Sequence, residues 1–155
     1  LGLGVTPWSP LRGGVLTGKY TRDNVRDAAP GRGEGVTAYL NDRTFGIVDE
    51  LARIAAEVDT TPAAVALAWV QSKPGVDSTI IGARTMEQLD ANLAGLEVGL
   101  TKVHMEALDV LSSPTLSFPI PFLQMANTVM HAGATVDGEE SEVWPMAPRT
   151  DEERY

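Results

Sequence analysis

Residues 6–20 of the chain read TPWSPLRGGVLTGKY, and this stretch poses the first question about the fold. A short apolar run leads directly into a loop that holds one tryptophan, three glycines and a lysine. Because glycine lets a backbone approach a ligand closely and lysine supplies a positive charge, the loop is suited to binding a phosphate. The glycines are also compatible with an ordinary turn and Trp8 with a place in the core, so both interpretations stay open here.

A second loop of similar character follows later, where an apolar run ends in the residues IGAR at positions 81–84. Arg84, Gln88 and Asn92 are spaced by four residues, which places them along one side of the helix that begins there. A helix amino end favours an anion, and an arginine binds one through two parallel hydrogen bonds. Taken singly, Arg84 is also compatible with a solvated surface charge, and the two amides with simple exposure to water.

Hydrophobic periodicity predicts four helices. Apolar residues at three- and four-residue spacings predict one over about residues 42–58. Thr61 is a capping residue and Pro62 suits a first helical position, so a second, deeply buried helix is predicted from there. Two more are predicted over about residues 85–96 and from Thr101 onward. The residues predicted to be buried on these two helices are Met86, Leu89, Leu93 and Leu96 on the first and Val103, Leu108 and Leu111 on the second.

Two short apolar runs, at residues 3–6 and 77–83, predict strands that are covered on both faces. The order strand, loop, helix, helix, strand, helix, helix is typical of parallel pairing in an α/β fold. Two strands cannot form such a sheet alone, so the chain is expected to be incomplete or completed by a partner. In a parallel β/α barrel, the loops after the last two strands commonly bind a phosphate.

Composition excludes several classes of function. The 155 residues are 43% hydrophobic and 21% charged, which is typical of a soluble globular protein. A net charge of −9 argues against nucleic acid or an anionic membrane surface as a partner. The absence of cysteine excludes a disulfide framework, a thiolate nucleophile and a cysteine metal site. With neither a signal peptide nor eighteen consecutive apolar residues, a cytoplasmic protein is expected.

The remaining features favour structural roles. His104 lies in an amphipathic helix and His131 in the tail, too far apart for a local pair of metal ligands, and no metal site is predicted. After Pro114 the helical pattern ends, and the acidic, proline-containing remainder is predicted to be extended or partly disordered.

Residues 6–20 and the stretch STIIGARTMEQLDANLAGL at 78–96 resemble two signatures of the aldo-keto reductase superfamily. The resemblance is nearest to bacterial aryl-alcohol dehydrogenase-like and potassium-channel β-subunit-like members. It implies that residues 1–113 are the carboxyl-terminal part of a (β/α)8 TIM barrel, from strands seven and eight onward, an α/β fold that is incomplete as given. Residues 114–155 are interpreted as a carboxyl-terminal extension or tail.

The resemblance also implies an NADP(H) site without a Rossmann domain. Trp8 takes the place of the aromatic residue that stacks on the nicotinamide, and Arg32 that of a loop arginine that folds over the cofactor. Arg84 matches the residue near the adenosine 2′-phosphate, while Gln88 and Asn92 match positions that hold the phosphate-ribose and adenine. The residues matching the stretch around the ribose and pyrophosphate are Ser9, Pro10, Leu11, Arg12, Gly14, Thr17 and Lys19.

The family's chemistry uses an Asp, Tyr, Lys and His tetrad, and no matching motif occurs in this chain, so no catalytic residue is assigned. The parent protein is expected to reduce a small carbonyl substrate to an alcohol, with the missing amino-terminal half of the barrel as the partner of this chain. The alternative is a non-catalytic NADP-binding or interaction module, which the β-subunit kinship allows. The chain alone, as a fragment, is expected to be inactive.

Overall fold

The computed structural model describes residues 2–24, 34–131, 133–136, 138–143, 145–148, 150 and 152. Its contacts divide the chain into two units, Leu1–Ser113 and Pro114–Tyr155. The first unit carries both sequence stretches that predict a phosphate site, and the second contains the tail.

Five α-helices and two 3₁₀ helices lie in the described residues of the first unit, 2–24 and 34–113. The α-helices are α1 (Glu34–Thr37), α2 (Asp42–Glu57), α3 (Pro62–Gln71), α4 (Met86–Leu93) and α5 (Lys102–Ser112). The 3₁₀ helices are Arg12–Thr17, in the glycine loop, and Ala94–Leu96, which continues α4.

Helices α2 and α3 begin at the residues where the sequence predicts them, and each has a side-chain cap. The Asn41 side chain accepts a hydrogen bond from the backbone N–H of Thr44 at 3.0 Å. The Thr61 hydroxyl accepts one from Ala64 at 3.2 Å, and Pro62 occupies the first helical position. These bonds satisfy amide groups that have no partner within the helix, so the two predicted helix starts are confirmed.

The core lies where α2, α3 and α5 pack together. Ile54 and Val65 are completely buried there, and truncating a side chain like Ile54 to alanine costs about 2–5 kcal/mol. The buried residues of this cluster are Leu51, Ile54, Ala55, Val65, Ala66 and Leu108. The all-round apolar composition of α3 is explained by this central position, since its residues 63–68 are all buried.

The two predicted strands do not form in this structure, and this corrects the expectation of buried strands. The segments touch through two isolated parallel bridges, Val5 with Val76 and Trp8 with Ile80. The parallel direction agrees with the prediction, but Val5 and Ile80 are each about half exposed. Within residues 2–24 and 34–113, each segment is bridged only to the other, so no ladder with a covered face develops. The described fold is helix-rich, and the barrel stays an expectation from the resemblance.

The predicted buried stripe of α4 is also wrong. Met86 is 68% exposed and Leu96 is 69% exposed, whereas Asn92 and Gly95 are buried. A Cβ on Gly95 would lie 3.0 Å from the Cβ of Leu67 and 3.1 Å from the Ala64 carbonyl oxygen. The backbone at Gly95 therefore lies against α3, and this close approach decides which side of α4 is covered.

The buried side of helix α5 also differs from the predicted one. Leu108 is buried as predicted, but Val103 and Leu111 are exposed, and His104 is buried instead. His104 replaces an apolar residue in that position because hydrogen bonds satisfy both of its ring nitrogens, as described below.

In the second unit, α6 (Ile120–His131) precedes a small antiparallel hairpin of β1 (Thr135–Val136) and β2 (Glu139–Glu140). Thr135 lies opposite Glu140 in the hairpin. The sequence predicts an extended or partly disordered tail, and the prediction of an extended chain is wrong over the twelve residues of α6, which form a helix.

Candidate functional site

The glycine loop has an unusual backbone. Ser9 and Arg12 have positive φ angles of 56° and 49°, and Gly13 and Gly14 follow with 66° and 91°. Positive φ is accessible to glycine, but in a residue with a side chain it costs of order 1–3 kcal/mol and persists only where the surroundings enforce it. The loop is therefore a strained segment held in one shape by its contacts.

Local hydrogen bonds hold this shape from inside. The Arg12 N–H donates to the Ser9 carbonyl at 2.9 Å, and the Gly14 N–H donates to the Leu11 carbonyl at 2.9 Å. The Thr17 hydroxyl donates to the Gly14 carbonyl at 2.8 Å. Thr17, one of the residues matched to the pyrophosphate-facing end, thus stabilises the loop itself.

Lys19 folds back over Gly14. A Cβ on Gly14 would lie only 2.7 Å from the Lys19 Nζ, so the absence of a side chain at Gly14 makes room for the ammonium group. The Nζ also lies 4.8 Å from the centre of the Tyr20 ring. The structure therefore brings together two of the residues that the sequence assigns to the phosphate-binding end of the loop.

Trp8 stands at the start of the loop with 81% of its surface exposed. The interpretation of Trp8 as a core residue is therefore wrong for this structure. Its backbone is bridged to Ile80, and the Ile80 N–H donates to the Pro7 carbonyl at 2.9 Å. The indole is a large aromatic face available for stacking on another ring.

A pocket of about 310 Å³ opens between the loop and the start of α2. Ser9, Pro10 and Arg12 line it from the loop, with Tyr39 and Thr44 opposite. The Arg12 guanidinium carbon lies 3.7 Å from the centre of the Tyr39 ring, a cation–π contact. Tyr39 was not among the predicted site residues, because a single tyrosine in a polar stretch gives no periodic or motif signal.

The second motif is organised by its own amides. The backbone N–H of Arg84 donates to the Gln88 Oε1 at 2.9 Å, and the Gln88 N–H donates to the Thr85 hydroxyl at 3.2 Å. The Asn92 side-chain nitrogen lies 3.5 Å from the Gly82 carbonyl oxygen. Gln88 and Asn92 thus hold the turn that precedes α4, while the Arg84 side chain stays exposed.

The parallel bridge between Trp8 and Ile80 brings the two motifs to one edge. In both segments the loop follows the bridged residue, and parallel segments run in the same direction, so both loops leave from the same end. Two loops with candidate anion-binding residues at the same end of paired parallel segments are the arrangement that the sequence predicts.

The lysine and arginine side chains of the two motifs differ from most of the others in the described chain in having no carboxylate partner. Arg22, Arg53, Lys73 and Lys102 each pair with a carboxylate. Arg43 donates instead to the carbonyls of Leu111 and Ser113, at the end of α5. Among the described residues the three remaining lysine and arginine side chains have no carboxylate partner, and they are Arg12, Lys19 and Arg84. In a chain of net charge −9, all three lie in the two motifs.

The ion pairs outside the motifs are structural. The Lys73 ammonium lowers the pKa of Asp109, which also accepts a hydrogen bond from the Trp69 indole at 2.8 Å. Arg53 lowers the pKa of Glu50 through a 2.7 Å contact on the surface of α2. These groups join neighbouring turns and helices, and none of these ion pairs includes Arg12, Lys19 or Arg84.

His104 is structural, as predicted. Its Nδ1 accepts from the Thr101 N–H at 3.4 Å in a capping box, and its Nε2 lies 3.1 Å from Glu57. Both ring nitrogens are occupied within the fold, which explains a buried histidine on the core side of α5.

Two other kinds of feature are absent from the described part of the chain. No group of three or more histidine, aspartate or glutamate side chains there is placed to hold a metal ion. None of the helices described has the length and apolar character needed to cross a membrane. Arg32, the predicted loop arginine, lies outside the described residues.

Comparison with known proteins supports the resemblance seen in the two motifs. The model of the aldo/keto reductase family matches residues 1–113. A probable voltage-gated potassium channel subunit beta from rice, Oryza sativa, is 37% identical over 122 residues, which cover 76% of this chain. An uncharacterized oxidoreductase of Bacillus subtilis is 34% identical over 115 residues, and one of Mycobacterium bovis is 41% identical over 108.

The chain is short compared with these relatives. The matched region covers 37% of the rice protein, 34% of the Bacillus subtilis protein and 32% of the Mycobacterium bovis protein. The chain therefore spans about a third of the length of the relatives it matches.

Proposed function

The chain belongs to the aldo/keto reductase family, and on that premise we propose that it forms the NADP(H)-binding part of an oxidoreductase. The observation that carries the proposal is the set of cations that have no carboxylate partner among the described residues. Arg12, Lys19 and Arg84 lie in two loops at one end of paired parallel segments, and no described carboxylate neutralises them. Phosphate groups are the ligands that such loops bind through cations and backbone N–H groups.

The residues present fit a dinucleotide in chemical type. The exposed indole of Trp8 suits a flat nicotinamide ring, and the space over Gly14 that accommodates the Lys19 ammonium suits a pyrophosphate. Ser9 to Arg12 would approach the ribose mainly through backbone groups, while Gln88 and Asn92 would fix the adenosine end through the turn that they hold. When bound, the nicotinamide supplies the hydride in reductions of this class.

We place the preference for NADP(H) over NAD(H) at Arg84. A 2′-phosphate is the only group that distinguishes the two cofactors, and it carries charge that an arginine binds strongly. The exposed guanidinium of Arg84 follows a turn fixed by Gln88, so its backbone is held in place before a ligand arrives. The side chain itself is free to reach a dianion.

The rest of the proposed reaction involves groups beyond this chain. A small aldehyde or ketone would be reduced to an alcohol by hydride transfer, with a general acid supplying the proton to the carbonyl oxygen. The general acid and the other tetrad residues would lie in the amino-terminal half of a complete barrel, with which this chain would assemble. On its own, the chain is expected to show no turnover.

A second candidate function rests on the relatives named as potassium channel β subunits. In that case the protein would bind NADP(H) without turning over a carbonyl substrate, and the bound cofactor would support an interaction with another protein. Both candidates require the same cofactor site, and they differ in whether a general acid is present.

The test uses the full-length protein that contains this chain. Quenching of tryptophan fluorescence during titration with NADPH and NADH measures binding, and NADPH oxidation with an aromatic aldehyde measures turnover. Binding of NADPH with turnover supports the reductase, and binding without turnover supports the second candidate. If the folded protein shows no saturable binding of NADPH, both are wrong.

A further inference from the structure

We propose that Tyr39 is a positioning residue, whose ring holds Arg12 and so keeps the glycine loop in the shape that binds a nucleotide. The inference rests on the proposed function for the identity of the ligand. It concerns a residue outside both sequence motifs, in the polar stretch that separates the glycine loop from α2.

The contact itself is close. The guanidinium carbon of Arg12 lies 3.7 Å from the centre of the Tyr39 ring, within the range of a stacked cation–π pair. No described carboxylate lies near enough to pair with Arg12, so the ring is the charged group's partner in this structure. Both side chains also line the pocket between the loop and α2.

Arg12 needs such a contact because its backbone is strained. It is the first residue of the Arg12–Thr17 helix and has a φ of 49°, a conformation that side-chain-bearing residues rarely adopt. The internal hydrogen bonds of the loop join residues within positions 9–17. A stacked side chain adds a constraint from a part of the chain distant in sequence.

Tyr39 is itself anchored to the loop by its neighbours. Its N–H donates to the Val36 carbonyl at 2.9 Å, and Val36 is buried. A Cβ on Gly13 would lie 3.0 Å from a methyl group of Val36, so Val36 lies directly against Gly13. The segment 36–39 therefore contacts two consecutive loop residues, Arg12 through the tyrosine ring and Gly13 through the valine.

The physical consequence concerns ligand affinity. When only a fraction of the protein has the binding-competent loop, the apparent Kd rises in inverse proportion to that fraction. Replacing Tyr39 by leucine removes the aromatic face, and we expect the apparent Kd for NADPH to rise about threefold to fivefold, which is about 0.7–1 kcal/mol. Because the loop would contact the part shared by both cofactors, the Kd for NADH should rise by the same factor.

The experiment measures NADPH and NADH binding to the full-length protein and its Tyr39→Leu and Tyr39→Phe variants, with thermal unfolding as the check on folding. Tyr39→Phe keeps the aromatic ring and should retain the wild-type affinity for both cofactors. In an Arg12→Ala background, Tyr39→Leu should cause no further loss, because Tyr39 acts through Arg12. Equal affinities of wild type and Tyr39→Leu, or additive losses in the double variant, would overturn the inference.

Hydrogen exchange without nucleotide keeps this test separate from the proposed function. The N–H groups of Gly14 and Leu16 both donate to the Leu11 carbonyl, so their exchange reports on the shape of the loop. Tyr39→Leu should speed their exchange and Tyr39→Phe should not. If the wild-type protein binds no NADPH, the proposed function fails. If Tyr39→Leu leaves the exchange rates of these two N–H groups unchanged, the inference about Tyr39 is overturned whether or not NADPH binds.

Discussion

The side-chain oxygen of Gln88 accepts a hydrogen bond from the backbone N–H of Arg84, at 2.9 Å. The backbone N–H of Gln88 donates to the Thr85 hydroxyl at 3.2 Å. Gln88 is therefore hydrogen-bonded to the two residues that precede α4, through its side chain and through its backbone. The family resemblance assigns Gln88 to the ligand, whereas in the structure its side-chain oxygen fixes the backbone of Arg84.

Replacing this oxygen should destabilise the start of α4. Gln88→Leu removes the acceptor and should lower the free energy of unfolding by about 0.5–1.5 kcal/mol. Gln88→Glu keeps an acceptor at the same position and should retain most of the stability. Urea unfolding of the full-length protein measures both. Equal losses for the two variants would show that the hydrogen bond to Arg84 contributes nothing.

Arg84→Ala should change cofactor selectivity. A charge-assisted contact is worth about 1.5–3 kcal/mol, so loss of the guanidinium should weaken NADPH binding about tenfold to a hundredfold. NADH has no 2′-phosphate, and its Kd should change little. Lys102→Ala is the matched control, since Lys102 is an exposed cation outside the motifs and pairs only with Glu106 at 3.6 Å.

Fluorescence titration with both cofactors decides this prediction. A similar loss of affinity for NADPH and NADH in Arg84→Ala would remove Arg84 from the 2′-phosphate site. A similar loss in Lys102→Ala would point to the overall charge of the protein instead of a local contact.

Position 14 requires glycine for two reasons, its positive φ angle and the closeness of the Lys19 side chain. Gly14→Ala forces a side chain into φ 91° and places its Cβ 2.7 Å from the Lys19 Nζ. We expect a loss of about 1–2 kcal/mol in stability and weaker NADPH binding, because Lys19 must move. Gly46→Ala is the control: no atom lies within 4 Å of its Cβ, and in the interior of α2 alanine should stabilise by about 0.5–1 kcal/mol.

Thermal or urea unfolding of the two variants checks the contrast. Destabilisation in Gly14→Ala with unchanged NADPH affinity would separate the fold of the loop from ligand binding and count against Lys19 as a phosphate contact. If alanine at position 14 stabilised the protein as it should at position 46, the left-handed conformation itself would be wrong.

The helices that sequence predicts best are those whose signals are local. The start of α3 follows from Thr61 and Pro62, which act within one turn of themselves, and the extent of α2 follows from the spacing of its apolar residues. The buried stripe of α4 is mispredicted because its orientation depends on Gly95 lying against α3, a contact that hydrophobicity cannot signal.

The strands and the site show the same limit. An interior strand of a parallel sheet has partners along both edges. Each extended segment here has one bridged neighbour within the described residues, so an apolar run alone overestimates its burial. The two loops proposed to bind an anion are predicted from residue type alone, because the chemistry of glycine, lysine and arginine does not depend on distant contacts. Tyr39 is missed because its role arises from contact with Arg12, which lies far away in sequence.

The link between α3 and α5 should depend on pH through Asp109, whose pKa is lowered first by Lys73 and then by the Trp69 indole. A carboxylate with a lowered pKa stabilises the fold above its ordinary pKa of about 3.9 and loses this effect as pH falls through the folded value. Asp109→Asn, which keeps an acceptor for Trp69, should therefore be less stable than wild type at pH 7. The difference should shrink below about pH 4 and vanish in stronger acid. Urea unfolding between pH 7 and pH 2.5 measures this difference in the free energy of unfolding, with Glu106→Gln on the same helix as the control. A difference that stayed constant with pH would contradict a stabilising ion pair between Asp109 and Lys73.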